Sequence, residues 1–163
     1  MSYKRLGSMA VLFVLLGFPA SASMISIMLV ETGIDERFSS GYYASLWEDG
    51  LMAAFFDAGH IVTNSPVTRM LEKPDPTVSG PFEDAFREAI SNGANYYILG
   101  FLEYGLKSGK TLPVSIALKV FDSDSGQVIH TQTFPAGIGS TEYEEFLLAQ
   151  NAGQSLISQI KDR

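Results

Sequence analysis

Cysteine is absent from all 163 residues. The chain therefore forms no disulfide, offers no thiolate nucleophile or sulfur metal ligand, and has no cysteine to carry a lipid. Histidine is scarce: only His60 and His130 can supply imidazole chemistry. Basic residues are outnumbered, 11 Lys and Arg against 18 Asp and Glu, for a formal net charge of −7. A negative chain without a basic stripe repels phosphate, which excludes nucleic acid and anionic membrane surfaces as partners. The apolar run near the start, Met9 to Phe18, spans 10 residues, half of the roughly 20 that a membrane-crossing helix needs.

That short run has a different meaning. Lys4 and Arg5 precede it and Ala20-Ser21-Ala22 follow it, giving the positive start, apolar centre and small-residue exit of a secretory signal peptide. Residues 1–22 are expected to be removed on export, leaving residues 23–163 as a single domain. Lys4 and Arg5 leave with the signal, which takes the formal charge to −9. The expected location is the periplasm or another exported space, in soluble form with no stable membrane anchor. A chain of this size buries about two thirds of its unfolded surface, enough for a core without disulfides.

Periodicity then divides the mature chain. Met24 to Val30, MISIMLV, is apolar throughout apart from one serine, as in a strand covered on both faces. Leu46 to Asn64 reads as helix, glycine stop and strand. At about 100° per residue, Tyr43, Trp47, Gly50, Leu51, Ala54 and Ala58 share one face, Gly59 suits a helix C-terminus, and His60 to Thr63 resumes at period two. Ser39 or Ser40 is expected to cap this helix. Pro66, Pro74, Pro76 and Pro81 exclude a long regular element from the stretch that follows.

Phe82 to Asn92 predicts an amphipathic helix closed by Gly93, and Tyr96 to Tyr104 a second doubly covered strand. Val114 to Phe121 alternates, turns at Asp122 to Gly126, and returns as Gln127 to Phe134. Thr141-Glu142-Tyr143-Glu144 is a capping box ahead of a helix with Phe146, Ala149, Gly153, Leu156, Ile157 and Ile160 on one face. The expectation is a single-domain α/β fold in the order β-α-β-α-β-β-β-α, a five-stranded mixed sheet with three helices and right-handed crossovers.

Motifs that resemble chemistry fall short of it. Ser108-Gly109-Lys110-Thr111 has the end of a phosphate loop, but Tyr104 stands where its first glycine belongs and Pro113 with a strand replaces the helix; a hairpin turn is expected. Asp122, Asp124 and Gly126 imitate a calcium loop, but the glycine is one place early and Thr133 stands where the bidentate glutamate belongs. No catalytic residue, cofactor or metal is assigned, and no enzyme activity is expected.

Two candidate surfaces remain. Glu31, Thr32, Asn64, Ser65 and Glu103 fall at or near strand ends, where open parallel sheets form ligand crevices, and together would line a polar pocket for a small ligand. Met52 and Phe56 lie about 140° and 180° from Trp47, on the face that should meet solvent. Either another part of the chain covers this pair or a partner does.

Three segments carry a family resemblance. WEDGLMAAFFDAGHIVTN, GANYYILGFLEYG and VSIALKVFDSDSGQVIHTQTF resemble the helix-to-strand unit, the central strand and the hairpin of bacterial envelope proteins with an anticodon-binding-like domain. This group includes the amino-terminal domain of the TolB translocation protein, the curli secretion lipoprotein CsgG and the outer-membrane lipoprotein activators of penicillin-binding proteins. The resemblance implies a small α/β domain that docks other envelope proteins and catalyses nothing. The expected function is therefore that of a non-enzymatic accessory to an envelope assembly or transport machine, with oligomeric state left open and small-ligand binding at the strand-end crevice as the alternative.

Overall fold

Strand β1 (Met24–Thr32) is buried at every position after its first, which requires cover on both faces and a neighbour on both edges. The computed structural model supplies each of these; it describes residues 22–34, 41–71 and 81–160. The signal segment, except for its last residue, lies outside them, as do Ser39 and Ser40. Helix α1 (Tyr42–Asp57) follows, then β2 (Ile61–Asn64), β3 (Thr68–Met70), α2 (Pro81–Ser91), β4 (Tyr96–Lys107), β5 (Lys110–Asp122), β6 (Val128–Pro135) and α3 (Glu142–Ile157).

The sheet runs β2-β1-β4-β5-β6, with β3 also paired to β1. It has six strands where five were expected. β2 lies parallel to Met24–Ile27 and β3 parallel to Val30–Thr32, so the two form one broken edge around Ser65-Pro66-Val67. Pro66 has no N–H to donate, which interrupts the ladder, and three residues are too few to show a period in sequence.

Right-handed connections set the layers. From β1 the chain crosses one way to β2 and then back past β1 to β4, so the two crossover helices fall on opposite faces. Ile25, Ile27 and Leu29 of β1 meet Trp47, Leu51 and Phe55 of α1 and Ala149, Ala152 and Leu156 of α3. Met28 and Val30 point the other way, to Phe82, Phe86 and Ala89 of α2. Trp47, Leu51 and Phe55 are fully buried, each worth about 1.5–3 kcal/mol in removed apolar surface.

α1 and α3 cross at small residues. A Cβ on Gly50 would stand 2.5 Å from Ala149 Cβ, and one on Gly153 would stand 2.6 Å from Ala54 Cβ, so glycine faces alanine twice across the contact. The position ahead of α1 is Gly41, at φ 109°, with no side-chain cap.

α3 begins on Thr141, whose hydroxyl accepts from the Glu144 N–H at 3.2 Å. The return half of the capping box shifts by one residue: the Glu144 carboxylate accepts the N–H and hydroxyl of Ser140. Those bonds hold the Glu144 carboxyl below the usual range, the Ser140 hydroxyl first. Their contribution is present at neutral pH and is lost as pH falls through the lowered value. Thr141→Ala is expected to cost about 1 kcal/mol, read as a lower thermal midpoint with unchanged far-UV circular dichroism.

The two loops that imitate chemistry are turns. Ser108 and Gly109 have φ of 51° and 75°, a two-residue hairpin loop closed by Lys107 opposite Lys110. At the next turn Asp122 Oδ1 accepts both the N–H and the hydroxyl of Ser125 at 2.9 Å, and Gly126 at φ 68° completes the reversal.

Candidate functional site

The crevice expected from five strand-end residues divides in two. Alternation places Glu31 with Ile27 and Leu29 on the α1/α3 face, whereas Thr32 pairs in register with Glu103 and shares the opposite, α2 face. Thr32 is buried and its hydroxyl leans toward the Leu102 carbonyl at 3.5 Å. Glu103 is half-buried, 3.5 Å from the Ser115 hydroxyl on β5. Asn64 is exposed and donates to Glu48 of α1 at 2.7 Å, and the Ser65 N–H extends the β1–β2 ladder to the Ile27 carbonyl. A period-two strand sends adjacent residues to opposite faces, so strand ends that are neighbours in sequence do not converge on one pocket.

Glu31 forms a site of its own. Its side chain is fully buried at the C-terminal end of β1. Oε1 accepts the Tyr104 hydroxyl at 2.7 Å and the Gly41 N–H at 3.1 Å, and Oε2 accepts Arg69 Nε at 3.0 Å. Burial, then the bond to Glu31, raises the Tyr104 hydroxyl well above the ordinary phenol range, so it stays a donor. The carboxylate thus ties β1, β3, β4 and the start of α1 into one corner. Every one of those bonds serves the fold, and buried charges of this kind require such pairing.

A second buried carboxylate lies on α3. Glu145 is 1% exposed; Oε1 accepts Trp47 Nε1 at 2.7 Å and the Gly137 N–H at 2.8 Å, and Oε2 accepts the Gly139 N–H at 3.0 Å. It joins α1, α3 and the loop after β6. The sequence reading missed it because a glutamate in the first turn of a helix ordinarily faces water. Its signal was the spacing of Glu145, Ala149, Ala152 and Leu156, which puts the acid on the buried stripe. Above it, Tyr42, Tyr43, Leu46 and residues 139–142 enclose a cleft of about 220 Å³. There the Tyr42 hydroxyl is pushed up to about 12, first by its hydrogen bond to Glu142.

The two histidines are far apart in the sheet order, His60 beginning the β2 edge and His130 on the β6 edge. His60 is buried, its ring 6.5 Å from Phe55, while His130 Nε2 lies 3.3 Å from Gln132 Oε1. Among the described residues no group of three or more His, Asp or Glu is placed to hold a metal.

The α1 pair separates as well. Met52 is half-buried and packs against the core shared by α1 and α3, whereas Phe56, one turn later, is 72% exposed. Beyond the Gly59 turn, Ile61 on the β2 edge is 51% exposed. Ile61 pairs in register with Met24, which packs on the α2 face, so the turn sends Ile61 to the other face of the sheet from Phe56.

No protein-family model and no curated protein matches the chain. Among solved structures it is similar to the PelC dodecamer from Paraburkholderia phytofirmans, at 17% identity over 88% of this chain and 91% of that one, TM-score 0.48. It is also similar to the LpoB C-terminal domain from Escherichia coli, at 13% identity over 70% and 82%, TM-score 0.44. TolB from Acinetobacter baumannii shares 15% identity over 86% of this chain and 29% of its own length, TM-score 0.40. These are likenesses of fold.

Proposed function

We propose that this chain is an exported, soluble periplasmic interaction domain, a non-enzymatic accessory to an envelope assembly or transport machine, as the TolB-like and CsgG-like sequence pattern implies. Phe56 carries the reading. A phenylalanine exposed to 72% on a helix whose other aromatic residues near it, Trp47 and Phe55, are fully buried is not needed by the core and costs solubility. Aromatic anchors of this kind dominate binding energy at protein interfaces. One further observation supports a binding rather than a chemical role: the buried carboxylates Glu31 and Glu145 both accept from donors that hold the fold together.

Phe56→Ser separates docking from folding. Stability should stay within about 0.5 kcal/mol of wild type, because the side chain is exposed in the free domain. Cross-linking in the periplasm should lose at least one specific adduct that the wild type forms. Adducts identical to wild type, or none in either protein, would sink the proposed surface. Met52 is left intact in this test, since a serine there would also strip an apolar group from the core edge.

A further inference from the structure

β6 is the outer strand on the side of the sheet away from β2, and no residue of it is charged: VIHTQTFP. Edges are normally guarded by lysine, proline or bulges. Here the guards stand only at the two ends, where the register slips near Ile129 and Pro135 closes the strand. Between them His130 to Phe134 runs regularly against β5. The Ala136 N–H bonds the Val114 carbonyl, which makes residues 136, 134, 132 and 130 the inward-bonding positions of an antiparallel ladder. Thr131 and Thr133 therefore aim their N–H and C=O outward, with no partner among the described residues, and Pro135 lacks an N–H where none is needed.

An apolar groove lies on the same side. Gly50 of α1 meets Phe146, Ala149 and Gln150, so that flank of α3 faces α1. Glu144, Leu147, Leu148 and Asn151 project about 160° away around the helix and, with Ile138, line a shallow groove of about 320 Å³. α1 packs over β1 and β2, which leaves the far flank of α3 toward the β6 edge. Phe134 of β6 and Leu148 of α3 border the same core there.

We propose that the β6 edge and this groove together dock a short extended segment of a partner protein, one that pairs with Thr131 and Thr133, sets an apolar side chain beside Ile138 and Leu147, and carries a lysine or arginine opposite Glu144. Strand addition of this kind draws affinity from the main chain and specificity from alternate side chains. The occupant is a basic partner rather than a second copy because charge complementarity requires it. Glu144 is the one charged group on the groove, β6 itself has no cation to offer a twin, and two copies of a chain with a formal charge of −7 repel each other. The site lies at the sheet edge opposite β2 and stands independently of the Phe56 surface.

The probe is a capped eight-residue peptide of alternating valine and threonine with a lysine at each end, titrated into the full mature chain. Binding should saturate below about 1 mM and slow amide hydrogen exchange at Thr131 and Thr133. Methylating alternate peptide nitrogens should weaken it by about tenfold or more, since each lost bond is worth about 1 kcal/mol. Replacing the two lysines with glutamate should weaken it further at low salt and less at high salt. Thr133→Pro removes an outward donor while sparing the ladder to β5 and should match the methylated peptide; if that variant misfolds, the peptide pair still decides. Phe56→Ser should bind the peptide like wild type, which keeps the two surfaces distinguishable. No binding at about 1 mM, equal binding of the methylated peptide, or protection away from β6 overturns the proposal.

Discussion

Glu145→Ala is expected to destabilise the domain by about 3–5 kcal/mol, a large share of the 5–15 kcal/mol that typically separates folded from unfolded chains. Three donors lose their acceptor at once: the Trp47 indole N–H and the N–H groups of Gly137 and Gly139. Hydrogen bonds to a charged group are worth about 1.5–3 kcal/mol each, and a buried donor left without a partner costs its full desolvation. Alanine also leaves a void under the 137–140 loop that Trp47 and Leu46 cannot fill without moving. Denaturant unfolding followed by Trp47 fluorescence measures this directly, since the indole is one of the three partners. Glu145→Gln should lose less, because it retains one carbonyl acceptor while turning an NH2 group on a neighbouring donor. An alanine variant within about 1 kcal/mol of wild type would show that the acid contributes no net binding of these elements.

Gly50→Ala should destabilise by about 1–3 kcal/mol even though alanine is the better helix former by about 1 kcal/mol. The added methyl would stand 2.5 Å from Ala149 Cβ, 2.6 Å from the Phe146 carbonyl and 2.9 Å from the Gln150 nitrogen. Two of those three are backbone atoms, which no rotamer change relieves, so the whole α1–α3 crossing must open. Opening it strains the Trp47–Glu145 bond that spans the same pair of helices. Ala149→Gly in the same chain should restore only part of the loss, because the Phe146 carbonyl stays in place. Equilibrium unfolding of the single and double variants checks this; a Gly50→Ala variant more stable than wild type would mean that the helices separate at no cost.

Much of the architecture was legible because it is written in short-range periods. The strand-helix-strand unit from β1 to β2, the amphipathic α2, the β5–β6 hairpin and the Thr141 cap each depend on residues within a few places of one another. The two turns that mimic a phosphate loop and a calcium loop were also legible, since their spacing failed the chemistry and matched a reversal. β3 was not visible, because three residues flanked by Pro66 carry no period and gain their strand geometry only from pairing with β1.

The candidate sites were less legible, for a related reason. Glu31 and Glu103 both stand near strand ends, but the parity of each strand and the register of β1 with β4 decide which face each meets. Met52 and Phe56 stand only about 40° apart on a helical wheel. They part because Met52 still reaches the core that α1 shares with the sheet, where Val62 of β2 also packs, while Phe56 is turned further out.

By itself the sequence determined the periods, the turn chemistry and the absence of cysteine chemistry, all of which follow from the local chain and need no knowledge of what lies across the core. Only the tertiary structure decided which acids are buried, which apolar side chain is left exposed and which strand edge is open. Those properties belong to pairs of residues 70 to 100 positions apart, such as Tyr104 with Glu31 and Trp47 with Glu145. Their meeting is fixed by strand order and helix crossing, and no local pattern encodes either.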